Sequence, residues 1–283
     1  MGAPQLLSAY AGHWTGAGTG VTVIVPPPGA VASGEVRGGA PATREFALLE
    51  PTRLVDRVDA VVLSGGSAFG LAAADGVMAL LRERGEGFPT QAGPVPIVVG
   101  MSVFDRSVGT GPPDAAAGRA AALTALAGEP LAAGRVGAGA GAATGKWRDR
   151  LDPGGLGWAV RAAGAARVAA IVVVNAWGDV LSASGEPIFG GATAPARPTA
   201  AFGMQNTTVG VVLTDAALTK NDCFLLAQSG HTGFARSIHP AHSRYDGDAV
   251  VALATGEAAG TDLDLVRAVA ADVVAEAVRA AVS

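Results

Sequence analysis

The stretch Val58–Arg84 reads VDAVVLSGGSAFGLAAADGVMALLRER. It begins almost wholly apolar through Leu63, stops at Ser64-Gly65-Gly66, and then changes period. Over Ala68–Arg84 the residues Leu71, Ala74, Met78 and Leu81 fall on one helical face. A strand without polar alternation is buried on both faces, and a helix directly behind it is its cover. This strand–turn–helix unit predicts a layered α/β fold with helices on the outer faces of sheets.

Working outward, further short apolar runs predict strands at Val21–Val25, Val95–Val99, Val168–Val174, Val209–Leu213 and Ala249–Ala254. The run VAAIVVV at Val168–Val174 is the strongest, and it delivers Asn175 at its end. Helices are expected at Asp114–Ala127, at Leu218–Ile238 with interruptions near Gly230 and Gly233, and at Asp262–Val282 with Thr261 as its cap. Residues 185–205 look irregular and exposed, a loop rather than a domain boundary. No fixed repeat period is present, so residues 1–283 read as a single domain.

Composition narrows the function classes. With 20 basic and 24 acidic side chains the net charge is −4, and no basic block exists to attract nucleic acid. Apolar residues make up 49% and charged residues only 16%, which predicts apolar surface buried between copies in a homo-oligomer. One cysteine, Cys223, fits a reducing, cytoplasmic setting. The N-terminal residues carry no signal-type pattern, Leu6 stands where myristoylation wants Ser or Thr, and no apolar run reaches membrane-spanning length.

Several motifs invite chemistry. GAGAGAATGKW at Gly137–Trp147 suggests a phosphate loop, but Ala140 and Trp147 occupy two required positions and Ala142 breaks the dinucleotide spacing. Lys146 is then either a cation held by a tight loop or an ordinary solvated lysine. In HTGFARSIHPAHSRYDGD, His239 and His242 flank Pro240, and with the aspartates they raise a metal site whose spacing fits no zinc motif. Asp246 and Asp248 surround a glycine, which is either turn chemistry or two carboxylates aimed into one site. Ser67 fails the Gly-x-Ser-x-Gly elbow because Phe69, two residues on, stands where the motif needs Gly, and a helix cap is its expected job. Asn175 is either bonded structurally or aimed at a ligand.

Asn206-Thr207-Thr208 sits at the mouth of an apolar strand, behind the loose segment. A Thr hydroxyl needs a base to become a nucleophile. A chain broken before Thr207 frees an α-amine beside the same residue's Oγ, with a reference pKa of about 7.7–8.0, and that amine can serve. The plainer reading is a turn residue followed by strand formers.

A resemblance bears on the choice. VRGGAPATRE (Val36–Glu45), VVLSGGSAFGLAAADGV (Val61–Val77), VGAGAGAATGK (Val136–Lys146), VVVNAWGDV (Val172–Val180), NTTVGVV (Asn206–Val212) and DGDAVVALATG (Asp246–Gly256) span nearly the whole chain. Together they resemble the L-aminopeptidase/D-esterase family, which includes β-aminopeptidases and the endo-type nylon-oligomer hydrolases. The resemblance implies an αββα sandwich, two stacked sheets covered by helices, of the N-terminal nucleophile kind. It implies self-cleavage between Asn206 and Thr207, giving an α chain of residues 1–206 and a β chain of residues 207–283. It implies Thr207 as nucleophile, with Lys146, Asn175, Asp246 and Asp248 around it. Asn175 is the expected oxyanion donor, Lys146 tunes the amine, and the aspartates hold both. No cofactor is expected, and the substrate is a small peptide, amide or amide oligomer. Ala42 departs from the family pattern, where Gly is expected. An acyltransferase of the ornithine acetyltransferase type, a metal-dependent hydrolase using His239, His242 and the aspartates, and a binding protein that never cleaves are the alternatives.

Overall fold

A computed structural model describes residues 2–191 and 206–283. The expected loop at 185–205 therefore falls mostly outside the described residues. In chain order come β1 (Tyr10–Gly16), β2 (Thr19–Val25), β3 (Val31–Val36) and the short β4 (Thr43–Arg44). Next are β5 (Ala60–Ser64), helix α1 (Ala73–Glu83), β6 (Val98–Ser102) and α2 (Ala115–Ala127). The chain continues through β7 (Gly155–Ala163), β8 (Ala166–Asn175), β9 (Thr207–Ala216), α3 (Lys220–Ser237), β10 (Ala249–Ala258) and α4 (Leu263–Ala280).

Two five-stranded sheets form, in the orders β1-β2-β5-β6-β4 and β3-β10-β9-β8-β7. Both are mixed: β5–β6 and β9–β10 pair parallel, and the other pairs are antiparallel. Side-chain alternation then builds three apolar layers. On β8, Ala169, Ile171 and Val173 face Val61, Leu63, Val99 and Met101 between the sheets. Ala170, Val172 and Val174 face the other way, onto Leu226, Phe234, Val266 and Val274 of α3 and α4. The outer face of the first sheet packs Val23 and Val62 against Val77, Leu81, Ala121 and Ala122 of α1 and α2. The fold is an αββα sandwich, and its central strands are apolar throughout because both faces are covered.

Several local expectations are corrected. Helix α3 runs unbroken through Gly230 and Gly233. A Cβ at Gly230 would lie 2.8 Å from Val250 Cγ1, and one at Gly233 would lie 2.6 Å from Val274 Cβ. These glycines permit close packing and do not break the helix. Pro96 has no N–H for a ladder, so the strand placed at Val95–Val99 begins only at Val98. Asp262, not Thr261, caps α4, its carboxylate accepting from the N–H groups of Asp264 at 2.9 Å and Leu265 at 3.1 Å. Ser67 makes no cap bond and lies in a left-handed turn at φ 55°. Strands β1, β3 and β7 had no counterpart in the sequence reading. Among the described residues no helix is long and apolar enough to cross a membrane.

Candidate active site

The ends of β8 and β9 meet at the site. These strands pair antiparallel with Asn175 opposite Thr207, so a residue closing one strand faces a residue opening the next. On its other side β9 meets the segment leading into β10, where Asn206 bridges Asp246 in parallel. Thr207 is thus flanked by Asn175 on one edge and by Asp246-Gly247-Asp248 on the other. All five of the expected residues, with Asn206, are buried, at 0–4% exposure.

The bond before Thr207 has a defined setting. Thr207 Oγ1 donates to the carbonyl oxygen of Asn206. The Gly247 N–H donates to that same oxygen at 3.0 Å. A side chain at position 247 would collide there, since a Cβ would lie 2.8 Å from Thr207 Oγ1 and 2.7 Å from the Ala40 carbonyl oxygen. Glycine between the two aspartates is required by this close approach.

Lys146 follows Gly145, whose φ of 71° turns the glycine-rich segment inward. Lys146 Nζ donates to Asn175 Oδ1 at 2.8 Å and to the Asn175 carbonyl at 3.0 Å. The Asn175 amide is oriented by two backbone groups. Its Oδ1 accepts from the Ala143 N–H at 3.0 Å, and its Nδ2 donates to the Phe104 carbonyl at 2.9 Å. Its acceptor oxygen therefore faces the lysine. Burial pushes the Lys146 ammonium down to about 7, with the negative charge of Asp246 opposing part of that shift.

The two aspartates are held differently. Asp246 accepts from the Trp177 N–H at 3.2 Å, the Ser243 N–H at 3.0 Å and Ser243 Oγ at 2.5 Å. Burial, then the charge of Asp248, pushes the Asp246 carboxyl up to about 6, against these hydrogen bonds. Asp248 Oδ1 accepts from the Thr208 N–H at 2.7 Å, and its Oδ2 accepts from His242. A buried lysine lowered toward neutrality beside a carboxyl raised toward it is an arrangement able to move protons near pH 7.

A cleft of about 380 Å³ opens on Lys146 and Asn175, with Phe104, Asp105, Arg106 and Arg135 also in its wall. Asp105 ties the Gly65–Gly70 turn to this wall, accepting from the Gly66 N–H at 3.1 Å and the Ser107 N–H at 3.0 Å. The three histidines of the sequence motif have different partners, although His231 and His242 lie ring to ring. His239 packs edge-on to Trp147, His242 bonds Asp248, and His231 bonds the Glu35 carbonyl. Among the described residues no three His, Cys, Asp or Glu side chains converge as a metal-holding group. Sequence reasoning missed Ser243 and the Gly247 N–H, and it raised His242 as a metal ligand where the structure makes it a partner of Asp248. Ser243 looked like a loop residue, and a backbone donor leaves no mark in a side-chain pattern.

The chain has relatives of known family. The model of peptidase family S58 matches residues 6–283. An uncharacterised aminopeptidase of Mycobacterium bovis is 41% identical over 279 residues, 92% of this chain and 80% of that protein. A 6-aminohexanoate-oligomer endohydrolase of an Agromyces species is 32% identical over 271 residues, 89% of this chain and 73% of that protein. Among solved structures, the L-aminopeptidase D-Ala-esterase/amidase of Ochrobactrum anthropi, described as a variant of the N-terminal nucleophile hydrolase fold, superposes with a TM-score of 0.73 at 21% identity, covering 96% of this chain and 83% of that one. A Burkholderia β-aminopeptidase gives the same TM-score of 0.73 at 23% identity, over 99% of this chain and 84% of that one. The two structures share the fold, the sequence matches carry the kinship, and this chain belongs to peptidase family S58, a family of hydrolases.

Proposed function

We propose that the chain cuts itself between Asn206 and Thr207, and that the resulting enzyme hydrolyses amide bonds through a Thr207 acyl-enzyme. The observation that carries this reading is the pair of donors on one carbonyl. Thr207 Oγ1 lies against the Asn206 carbonyl, and the Gly247 N–H already points at the oxygen that would become negative. Such a preset donor is what stabilises a tetrahedral oxyanion.

In the precursor the Thr207 nitrogen is an amide and is no base. Neutral Lys146 takes the Oγ proton, directly or through one water, as Oγ bonds to the Asn206 carbonyl carbon. The C–N bond then breaks, and the nitrogen receives the proton back from the lysine. Water hydrolyses the ester that remains, leaving an Asn206 carboxylate and a free Thr207 amine. In the mature enzyme that amine accepts the Oγ proton and returns it to the leaving amine of the substrate. Asn175 fixes Lys146 through its acceptor oxygen, and Asp246 balances the lysine's charge.

The proposed substrates are small peptides with a free amine or amide oligomers, by analogy with the named relatives. A homo-oligomer is part of the proposal, supported by exposed Leu54, Phe69, Phe88 and Leu123. A cytoplasmic setting is proposed from the one cysteine, Cys223, which is buried and free.

The rate of self-cleavage against pH tests the base. Lys146 is protonated below about 7 and neutral above it, so the base gains its lone pair as pH rises. Asp246 ionises near 6, lower on the same axis. Purified precursor is therefore expected to split slowly at pH 5 and to reach a plateau above pH 8, following the lysine. A rate independent of pH over that range would remove Lys146 from this role.

A further inference from the structure

His242 is not used by the reaction as written, yet its imidazole is aimed at the site. Its backbone takes φ 56°, a left-handed conformation uncommon for a residue with a side chain. This turn brings two donors onto one atom. The His242 N–H reaches Asp248 Oδ2 at 3.1 Å, and the ring Nδ1 reaches the same oxygen at 2.8 Å. A carboxylate oxygen accepts, so Nδ1 carries the hydrogen. The other oxygen of Asp248 accepts from the Thr208 N–H at 2.7 Å. Asp248 is thus a bridge from His242 to the residue next to Thr207.

The ring plane is fixed from a second side. His231 packs edge-on to His242 with centroids 4.9 Å apart, and Phe234 lies 6.2 Å away. Burial pushes His231 down to about 4, so it is a neutral wall. Both wall residues project from α3, so the helix sets the imidazole and the imidazole sets the carboxylate.

We infer that His242 is a positioning residue for the nucleophile, acting through Asp248. The inference rests on the Thr207 reading. Cleavage before Thr207 turns an internal residue into a chain end, and chain ends fray unless tied down. The nearest ties on the new chain are the ladder to Asn175 and the Thr208 N–H on Asp248. A carboxylate free to rotate would release the second tie and let the amine and Oγ drift out of reach of the substrate carbonyl. Displacements near 1 Å cost about 10²-fold in rate.

Two substitutions suit the left-handed backbone. His242→Gly keeps the backbone donor and removes the ring donor. His242→Asn restores a side-chain N–H close to where Nδ1 stands, and Asn tolerates this conformation. In His242→Gly, self-cleavage and the kcat of fully processed enzyme are expected to fall about 10- to 100-fold with little change in KM. His242→Asn is expected to recover most of both rates. Equal loss in the Asn and Gly variants, or no loss in the Gly variant, overturns the inference. Wild type and Thr207→Ala run beside them keep the two ideas separate. If wild type never splits, the nucleophile reading fails. If wild type splits but Asn does not rescue, only the role of His242 fails.

Discussion

Thr207→Ala is expected to stay whole at 283 residues and to hydrolyse no amide above the uncatalysed background. The reading gives Thr207 two jobs, and both need Oγ. In the precursor Oγ attacks Asn206, and in the mature enzyme it carries the acyl group. Thr207→Ala also denies the enzyme its catalytic amine, because an uncut chain has only an amide at that nitrogen. The fold is expected to survive. Thr207 opens β9 in its ladder with β8, and its backbone hydrogen bonds do not depend on the hydroxyl. A thermal midpoint near that of uncut wild type, with no activity, separates a chemical loss from a structural one. Thr207→Ser keeps Oγ and is expected both to split and to turn over. Gel electrophoresis over time, with an amide-release assay on the same samples, reads both outcomes.

The second large effect belongs to Lys146. Removing a general base typically costs about 10²–10⁴-fold, and Lys146→Met is expected to slow self-cleavage within that range. The methionine nearly matches the lysine stem in volume, so the buried site keeps its packing. Asn175 Oδ1 retains the Ala143 N–H as a partner when Nζ is gone. Lys146→Arg is the sharper comparison. It keeps a cation beside Asp246, but a guanidinium does not lose its proton in a protein and so offers no base. Equal failure of Met and Arg assigns the loss to proton transfer. Recovery in the Arg variant would mean that positive charge alone suffices, and the role written for Lys146 would be wrong. The time course of chain splitting at pH 8 measures both.

Physical chemistry explains why some elements were readable and others not. Strands β8, β9 and β10 lie at the centre of their sheet with apolar layers on both sides, so they appear as runs of Val, Ile, Leu and Ala, with Gly210 the one small break within Val209–Leu213 of β9. Strand β7 is at the sheet edge, mixes exposed Arg161 with glycines, and matches neither strand period. A Cβ at Gly155 would lie 2.3 Å from the Ala281 carbonyl oxygen, and one at Gly157 would lie 2.0 Å from that of Ala277. What looked like loop composition is the seat of α4. Strand β3 hides similarly, with buried Ser33 donating to the Leu49 carbonyl at 2.6 Å. Gly230 and Gly233 were read as helix breakers for the same reason. A glycine that yields space to a neighbour and one that ends an element look alike in one sequence.

At the site, the side chains named from sequence do lie together, but their supports were invisible. Ser243 is three residues from the carboxylate it holds, in a turn that reads as polar loop. The Gly247 and Trp177 N–H groups are backbone donors, which any residue but proline carries. The orientation of Asn175, acceptor toward the lysine, is set by Ala143 and Phe104, which lie 32 and 71 residues away in sequence. Such long-range backbone contacts come only from the fold. The sequence reading cast Asn175 as an oxyanion donor, whereas its Oδ1 faces Lys146 and the Gly247 N–H faces the carbonyl of Asn206.

Intact-mass analysis of purified, active wild type under denaturing conditions probes the central claim most directly. Two chains are expected, residues 1–206 and residues 207–283, with amidase activity rising in step with their appearance. Full activity in material whose every molecule keeps the 206–207 bond would contradict it.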